Sequence, residues 1–296
     1  MTVNTRIIAQ EFEVLAPETL GDAVDLLDRY GQEAKILAGG TDLLLQIKQE
    51  KLTPGHLINI TKIPELNQVR EDGGLRIGAA AKLSHVRAYC SKTEKYKALF
   101  EAISVLGKPQ VWNMGTIGGN LCNASPAADT APPLLVFNGR VNLQSKKGER
   151  TIGLEDFFTG VNKTAIAPGE LMTEIRLDPV ADASGNAFVK MARVGADISK
   201  ITCAVSVDRE GDVCSGCRIA FGAVAPVPMR AKGAEAILTG QKIEESLIER
   251  AGQAAAEEIS PIDDVRSTAE YRRTVASILF QDTFRKAWRR ASGEEK

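Results

Sequence analysis

Thr116-Ile117-Gly118-Gly119-Asn120-Leu121-Cys122-Asn123-Ala124-Ser125-Pro126-Ala127-Ala128-Asp129 is the stretch on which the reading of this chain turns. Two adjacent glycines let the backbone turn its N–H groups toward an anion with no Cβ in the way. Asn120, Ser125 and Asp129 add short polar side chains able to hold a sugar or a phosphate. An ordinary turn explains the stretch equally well when it is taken alone. A second glycine pair upstream, Ala38-Gly39-Gly40-Thr41-Asp42-Leu43, changes the balance. Two anion-friendly loops brought together suit a diphosphate better than a single phosphate. At Gly39 and Gly118 a branched side chain would then occupy the space in which backbone meets phosphate.

The upstream pair sits in a recognisable local pattern. Leu20, Ala23, Val24 and Leu27 line one face of a helix, with Thr19 and Asp22 as a capping box and Gly31 as its stop. Lys35 to Ala38 reads as a short buried strand and Leu57 to Ile60 as the next one. Between them, Thr41 or Asp42 opens a helix through Ile47. The result is a strand–glycine turn–helix–strand unit that aims N–H groups at whatever occupies the turn.

Composition narrows the class. The chain has 296 residues, 44% hydrophobic and 25% charged, enough for a full core spread over two or three domain-sized units. A formal charge of −1 makes no electrostatic case for nucleic acid or an anionic membrane. Five scattered cysteines do not suggest a disulfide framework. No apolar h-region follows the start, and the charge-free run from Pro109 to Ala128 is too rich in Gly, Asn, Ser and Pro to span a bilayer. The expectation is a soluble cytoplasmic protein.

Beyond residue 61 the pattern shifts to strands at Leu75–Ala79, Val141–Gln144 and Met172–Leu177, with a helix over Tyr96–Leu106 that ends at Gly107. Residues 179–186 read as a small-residue linker. Thr202–Val207 and Val213–Phe221 flank a hairpin loop at 208–212. Ser267-Thr268-Ala269-Glu270 forms a capping box for a last helix that stacks Ala276, Phe280, Phe284 and Trp288.

Absences narrow the chemistry further. His56 and His85 stand away from any carboxylate or cysteine cluster of metal-ligand spacing. Cys214-Ser215-Gly216-Cys217 has redox-motif spacing, but on an alternating strand it reads as packing. No nucleophile elbow, Walker loop or dinucleotide Gly-x-Gly-x-x-Gly is present. No catalytic residue and no metal ligand is therefore assigned, and any redox chemistry falls to a cofactor.

Taken in order, Ala38-Gly39-Gly40-Thr41-Asp42-Leu43, Gly115-Thr116-Ile117-Gly118-Gly119-Asn120, Ala124-Ser125-Pro126 and Asp129 resemble the FAD-binding (medium) subunits of the molybdenum hydroxylases. That family includes the flavoprotein subunits of carbon monoxide, nicotinate and xanthine dehydrogenases. The likeness extends through Lys190, Asp197-Ile198, Ala220 to Pro226 and Glu270-Tyr271-Arg272-Arg273, nearly the whole chain.

The resemblance implies an α+β fold. It consists of a vanillyl-alcohol-oxidase (PCMH)-type FAD-binding fold of two α+β subdomains (1–60 and 61–179), then a C-terminal α+β domain (186–290) with a small antiparallel sheet and helices. It also implies the roles of residues. Ile36, Leu37, Ala38, Gly39, Gly40, Thr41, Asp42 and Leu43 would bind the FAD pyrophosphate, chiefly through backbone. Thr116, Ile117, Gly118, Gly119 and Asn120 would form a second N–H nest for it. Asp129 would lie near the ribose and adenine, Met172 would line the cleft, Lys190 would contact the cofactor, and Leu106 and Ile198 would flank the flavin ring.

Trp112 stands where many relatives carry Arg, so a phosphate or inter-subunit contact is missing or replaced by stacking. Cys122 stands alone until Cys203, so the [4Fe–4S] ligands of the 4-hydroxybenzoyl-CoA reductase branch are absent.

By the same resemblance, the chain would pass electrons from two [2Fe–2S] clusters through FAD to an external acceptor: NAD, a quinone or a redox protein. The clusters would sit on a small subunit and molybdopterin-bound molybdenum on a large one, in a dimer of heterotrimers. An independent flavin oxidase and an assembly subunit that has lost FAD are the alternatives.

Overall fold

The computed structural model of the chain describes residues 8–295. The first unit contains β1 (Glu13–Leu15), α1 (Leu20–Tyr30), β2 (Ala34–Leu37), α2 (Leu43–Lys48) and β3 (His56–Asn59). Thr19 caps α1 as its spacing predicts, its Oγ1 accepting the Asp22 N–H at 3.1 Å, and Gly31 ends the helix at φ 51°. β3 lies between β1 and β2, parallel to both. Parallel neighbours need crossovers, so Gly39-Gly40 falls at the carboxyl end of a strand, where open parallel sheets place their ligands.

The second unit runs through β4 (Val69–Glu71), β5 (Leu75–Gly78), α3 (Leu83–Cys90), α4 (Lys97–Val105), α5 (Pro109–Met114), α6 (Ile117–Cys122) and α7 (Ala131–Val136). It continues with β6 (Arg140–Ser145), β7 (Gly148–Gly153), α8 (Leu154–Phe157), β8 (Phe158–Gly160), β9 (Lys163–Thr164) and β10 (Leu171–Arg176). Five strands pair in the order β4-β5-β10-β6-β7, and the pairs are antiparallel. Side chains alternate across this sheet. Ile77, Val141 and Ile175 join Ile103, Leu121 and Leu134 in one buried core. On the other face Arg70, Arg76 and Arg176 surround Glu174.

The third unit comprises β11 (Ser184–Met191), β12 (Ile201–Glu210), β13 (Val213–Gly222), β14 (Met229–Arg230), α9 (Lys232–Leu238), β15 (Gln241–Lys242), α10 (Glu245–Glu258) and α11 (Ala269–Ala291). The strand order is β11-β12-β13-β14, with β15 also on β13. Phe280, Phe284 and Trp288 stack along α11 as their spacing predicts, with successive ring centroids 5.8 and 5.9 Å apart.

Three local expectations need correction. Residues 184–186, read as linker, already belong to β11, and Gly185 and Asn186 are buried. The hairpin loop shrinks to Gly211-Asp212 because β12 runs on to Glu210. The cap of α11 is Thr268, whose Oγ1 accepts the Tyr271 N–H at 3.2 Å. Ser267 is engaged elsewhere, its N–H and carbonyl both bridged to the Asp264 backbone.

The third unit is fastened to α4. Glu101 Oε1 accepts from Lys286 Nζ and Arg290 Nη2, each at 2.7 Å, and Oε2 accepts the Phe188 N–H at 2.8 Å. Asn186 Oδ1 accepts the Ala98 N–H at 2.7 Å, one of the helix-start amides that otherwise lack a partner.

Asp264 braces the entry to α11. Burial pushes its carboxyl up, but hydrogen bonds from Arg272 and from the Arg266 and Ser267 N–H groups prevail and hold it at about 2. A carboxyl held below its ordinary value of about 3.9 contributes stability above that pH and loses it as pH falls toward 2. Protection of the amides at the start of α11, relative to the exchange of unstructured chain at the same pH, should therefore fall between about pH 4 and 2. Asp264→Asn should flatten that dependence, and an identical profile in the variant would refute the assignment.

Candidate functional site

The two glycine loops meet. A Cβ at Gly39 would lie 2.2 Å from the Met114 carbonyl oxygen and 2.7 Å from Gly115 Cα, so backbone touches backbone there. A Cβ at Gly115 would lie 3.7 Å from Thr41 Oγ1. Asn123, just past α6, donates from Nδ2 to Asp42 Oδ1 at 3.3 Å and accepts from Gln46 Nε2 at 3.4 Å.

The first loop is open. Among the described residues, the N–H groups of Gly39, Gly40, Thr41, Asp42 and Leu43 donate to no protein acceptor, the first bonded amide of α2 being Leu44 to the Gly40 carbonyl. Gly40 adopts φ 72°, which lets successive amides turn toward one side. Five adjacent donors on half-buried or exposed backbone fit a polyanion such as a pyrophosphate. Ile36, Leu37 and Ala38 lead into this loop as half-buried residues at the end of β2.

The second loop is different, and the expected nest is corrected. Ile117 N–H donates to Ala81 O, Gly118 N–H to Ala79 O and Asn120 N–H to Thr116 O, while Gly119 N–H donates to Thr116 Oγ1 at 3.1 Å. These amides are already used inside the protein. A Cβ at Gly118 would come within 2.6 Å of Ala79 O, so backbone packing requires glycine there, as at Gly39. What the segment leaves exposed is Gly119. Asn120 accepts from Thr130 Oγ1 at 2.6 Å.

Asp129 and Lys190 pair with each other. Lys190 Nζ stands 2.7 Å from Asp129 Oδ2, both side chains under a tenth exposed, and donates to Val105 O at 3.3 Å. Ser199 Oγ donates to the other carboxylate oxygen at 2.6 Å. Burial pushes the Asp129 carboxyl above its ordinary value, against the pull of Lys190 and Ser199.

Leu106 is half-buried after α4, its carbonyl accepting from Trp112 Nε1. Trp112 does stack, on a protein cation: the Arg87 guanidinium lies 4.9 Å from its ring centroid and 4.8 Å from that of Phe100. Met172 is buried on β10 beside an irregularity in its pairing with β6. Ile198 is half-exposed in the loop between β11 and β12.

Sequence reasoning missed Ser199, Thr130 and Asn123, small polar residues whose partners are distant in the chain. Cys214 and Cys217 share a face after all. Cys214 pairs with Arg209, and Gly216 with Asp208, so Ser215 is the extra residue of a bulge. Both are buried; burial pushes the Cys217 thiol well up, while the hydrogen bond between the two thiols lowers Cys214. Among the described residues no cluster of three or more metal-ligating side chains occurs. None of their helices is long and apolar enough to cross a membrane.

Known proteins supply the comparison. Residues 10–179 match the model of the FAD binding domain in molybdopterin dehydrogenase, and 186–287 that of the CO dehydrogenase flavoprotein C-terminal domain. The carbon monoxide dehydrogenase medium chain of Hydrogenophaga pseudoflava is 33% identical over 97% of this chain and 100% of its own length. The xanthine dehydrogenase FAD-binding subunit of Escherichia coli O157:H7 is 31% identical over 93% of this chain and 96% of its own. In a solved structure of carbon monoxide dehydrogenase from Hydrogenophaga pseudoflava, a chain superposes with a TM-score of 0.92 at 34% identity, over 96% of this chain and 99% of that one.

Proposed function

The chain belongs to the family of FAD-binding subunits of the molybdenum hydroxylases, and from that premise we propose that it is the flavoprotein subunit of a heteromeric complex of this kind. The observation that carries the reading is the row of open amides from Gly39 to Leu43, set against Met114 and Gly115. These donors would hold the pyrophosphate of FAD, while Leu106 and Ile198 would border its ring. FAD bound there supplies an electron relay between iron–sulfur clusters on a small subunit and an external acceptor. The large subunit would carry molybdopterin-bound molybdenum.

The chain's own residues bind, orient and shield. Asp129 is buried against Lys190 and Ser199, which leaves it closed off from a substrate of its own. That disfavours an independent oxidase. Exposed Val194, Ile198, Ile262 and Val265 offer apolar surface of the sort that partner subunits cover.

The test joins cofactor and complex. Acid precipitation of the purified chain should release FAD, with no flavin left on the polypeptide. Co-expressed with its genomic neighbours, the chain should co-purify with iron and molybdenum. Substrate should bleach the flavin band at roughly 450 nm only when molybdenum is present. Bleaching without the large subunit would mean that electrons enter at the flavin, and the independent oxidase would replace this reading.

A further inference from the structure

We propose that Asp129 is a positioning residue, an ionic post that fastens the 192–200 loop of the third unit to the second, and that flavin retention depends on this fastening. β11 ends at Met191 and β12 begins at Ile201. Asp129 grips the connection at both ends, Lys190 at 2.7 Å and Ser199 at 2.6 Å. No other side-chain hydrogen bond among the described residues ties the 192–200 segment to the second unit. The rest of the loop is held within the third unit, by the Arg193–Asp197 pair at 2.6 Å, by Lys200 N–H on Met191 O at 2.8 Å and by Lys200 Nζ over the Tyr271 ring at 5.3 Å.

The post also connects to the glycine motif. Thr130, the next residue, donates to Asn120 Oδ1 at 2.6 Å. Lys190 reaches the Val105 carbonyl, adjacent to Leu106. Asp129 thus joins the second glycine motif, the end of α4 and the loop bearing Ile198 in one network. Hydrogen bonds to a charged group are the stronger kind, and a buried carboxylate that loses its partners is costly, so the loop should open when the post is altered. The fastening stands on the geometry alone, whereas its link to flavin retention rests on the function proposed above.

Tryptic cleavage after Arg193, whose side chain is 59% exposed, reads the loop directly. The full chain is digested as wild type, Asp129→Asn and Ser199→Ala, with flavin present and after flavin removal, and flavin release is followed by fluorescence. Cleavage after Arg193 should rise about tenfold in Asp129→Asn and about threefold in Ser199→Ala, in proportion to the hydrogen bonds lost. Cleavage after Lys147, on the hairpin between β6 and β7, should not change, and flavin release should speed up in the same order. Equal cleavage in all three chains would overturn the proposal. So would faster flavin release with unchanged cleavage, since Asp129 would then act by touching the cofactor. Should Asp129→Asn fail to fold, Ser199→Ala, which keeps both charges, decides. A wild-type chain that binds no flavin would remove the functional reading, while the cleavage of flavin-free chains would still judge the fastening.

Discussion

Gly39→Val should yield a folded chain that retains less than about a tenth of the wild-type flavin. The added Cβ would sit 2.2 Å from the Met114 carbonyl oxygen and 2.7 Å from Gly115 Cα. Both obstacles are backbone, so no rotamer change relieves them, and the first loop must move away from α5. Overpacking of this sort costs about 1–3 kcal/mol, tolerable at a half-buried loop but enough to scatter the amides of Gly39 to Leu43. Gly118→Val should behave differently. Its Cβ would strike Ala79 O at 2.6 Å and break the pairing of Ile117 and Gly118 with residues 79–81, inside the core of the second unit. That variant should lose structure along with flavin. Absorbance at the flavin band and far-UV circular dichroism separate the two outcomes, and a Gly39→Val chain with normal flavin would sink the cradle assignment.

Glu101→Ala should destabilise the docking of the third unit on α4 by about 3–5 kcal/mol, the range for breaking one side of a buried ion pair. Arg290, with only 8% of its side chain exposed, would be left without its carboxylate, as would Lys286 and the Phe188 N–H. Urea unfolding followed through Trp288 fluorescence, in chains that carry Trp112→Phe, should show the midpoint falling. Burial pushes the Glu101 carboxyl up, but Arg290, Lys286 and the Phe188 N–H bring it below its ordinary value. Its contribution is therefore complete above about pH 4.3 and fades on acidification, so the gap between wild type and variant should narrow in acid. A gap that persists there, or an unchanged midpoint at neutral pH, would show that packing alone holds the units together.

How far the chain could be read in advance depended on the range of each interaction. Thr19 and Asp22, three residues apart, specify the start of α1 with no outside help. The strand–glycine–helix unit around Gly39 was legible for the same reason. The hairpin of β12 and β13 was legible too, though the bulge at Ser215 was not, because a bulge is defined by the partner strand.

The second glycine motif looked like the first in sequence, yet its amides turn inward. What decides their direction is the backbone of Ala79 to Ala81, far upstream, and nothing within Thr116 to Asn120 records that contact. Asp129 stood out in sequence as a short polar residue of the motif, but its partners, 61 and 70 positions away, left no local trace. Glu101 left a faint one: a lone acid between Leu99-Phe100 and Ala102-Ile103 on a helix otherwise apolar at that point.

The tie between Glu101 and Lys286 has a consequence for the birth of the molecule. The two residues lie 185 positions apart. At a synthesis rate of about 5–20 residues per second, the carboxylate waits roughly 10–40 s on the ribosome for its cation. During that interval Glu101 can already hold the Phe188 N–H of β11 but lacks both of its cations. α11 thus supplies the charges that complete a contact already made between α4 and β11, and a nascent chain stalled before residue 286 would carry an uncompensated carboxylate at that seam.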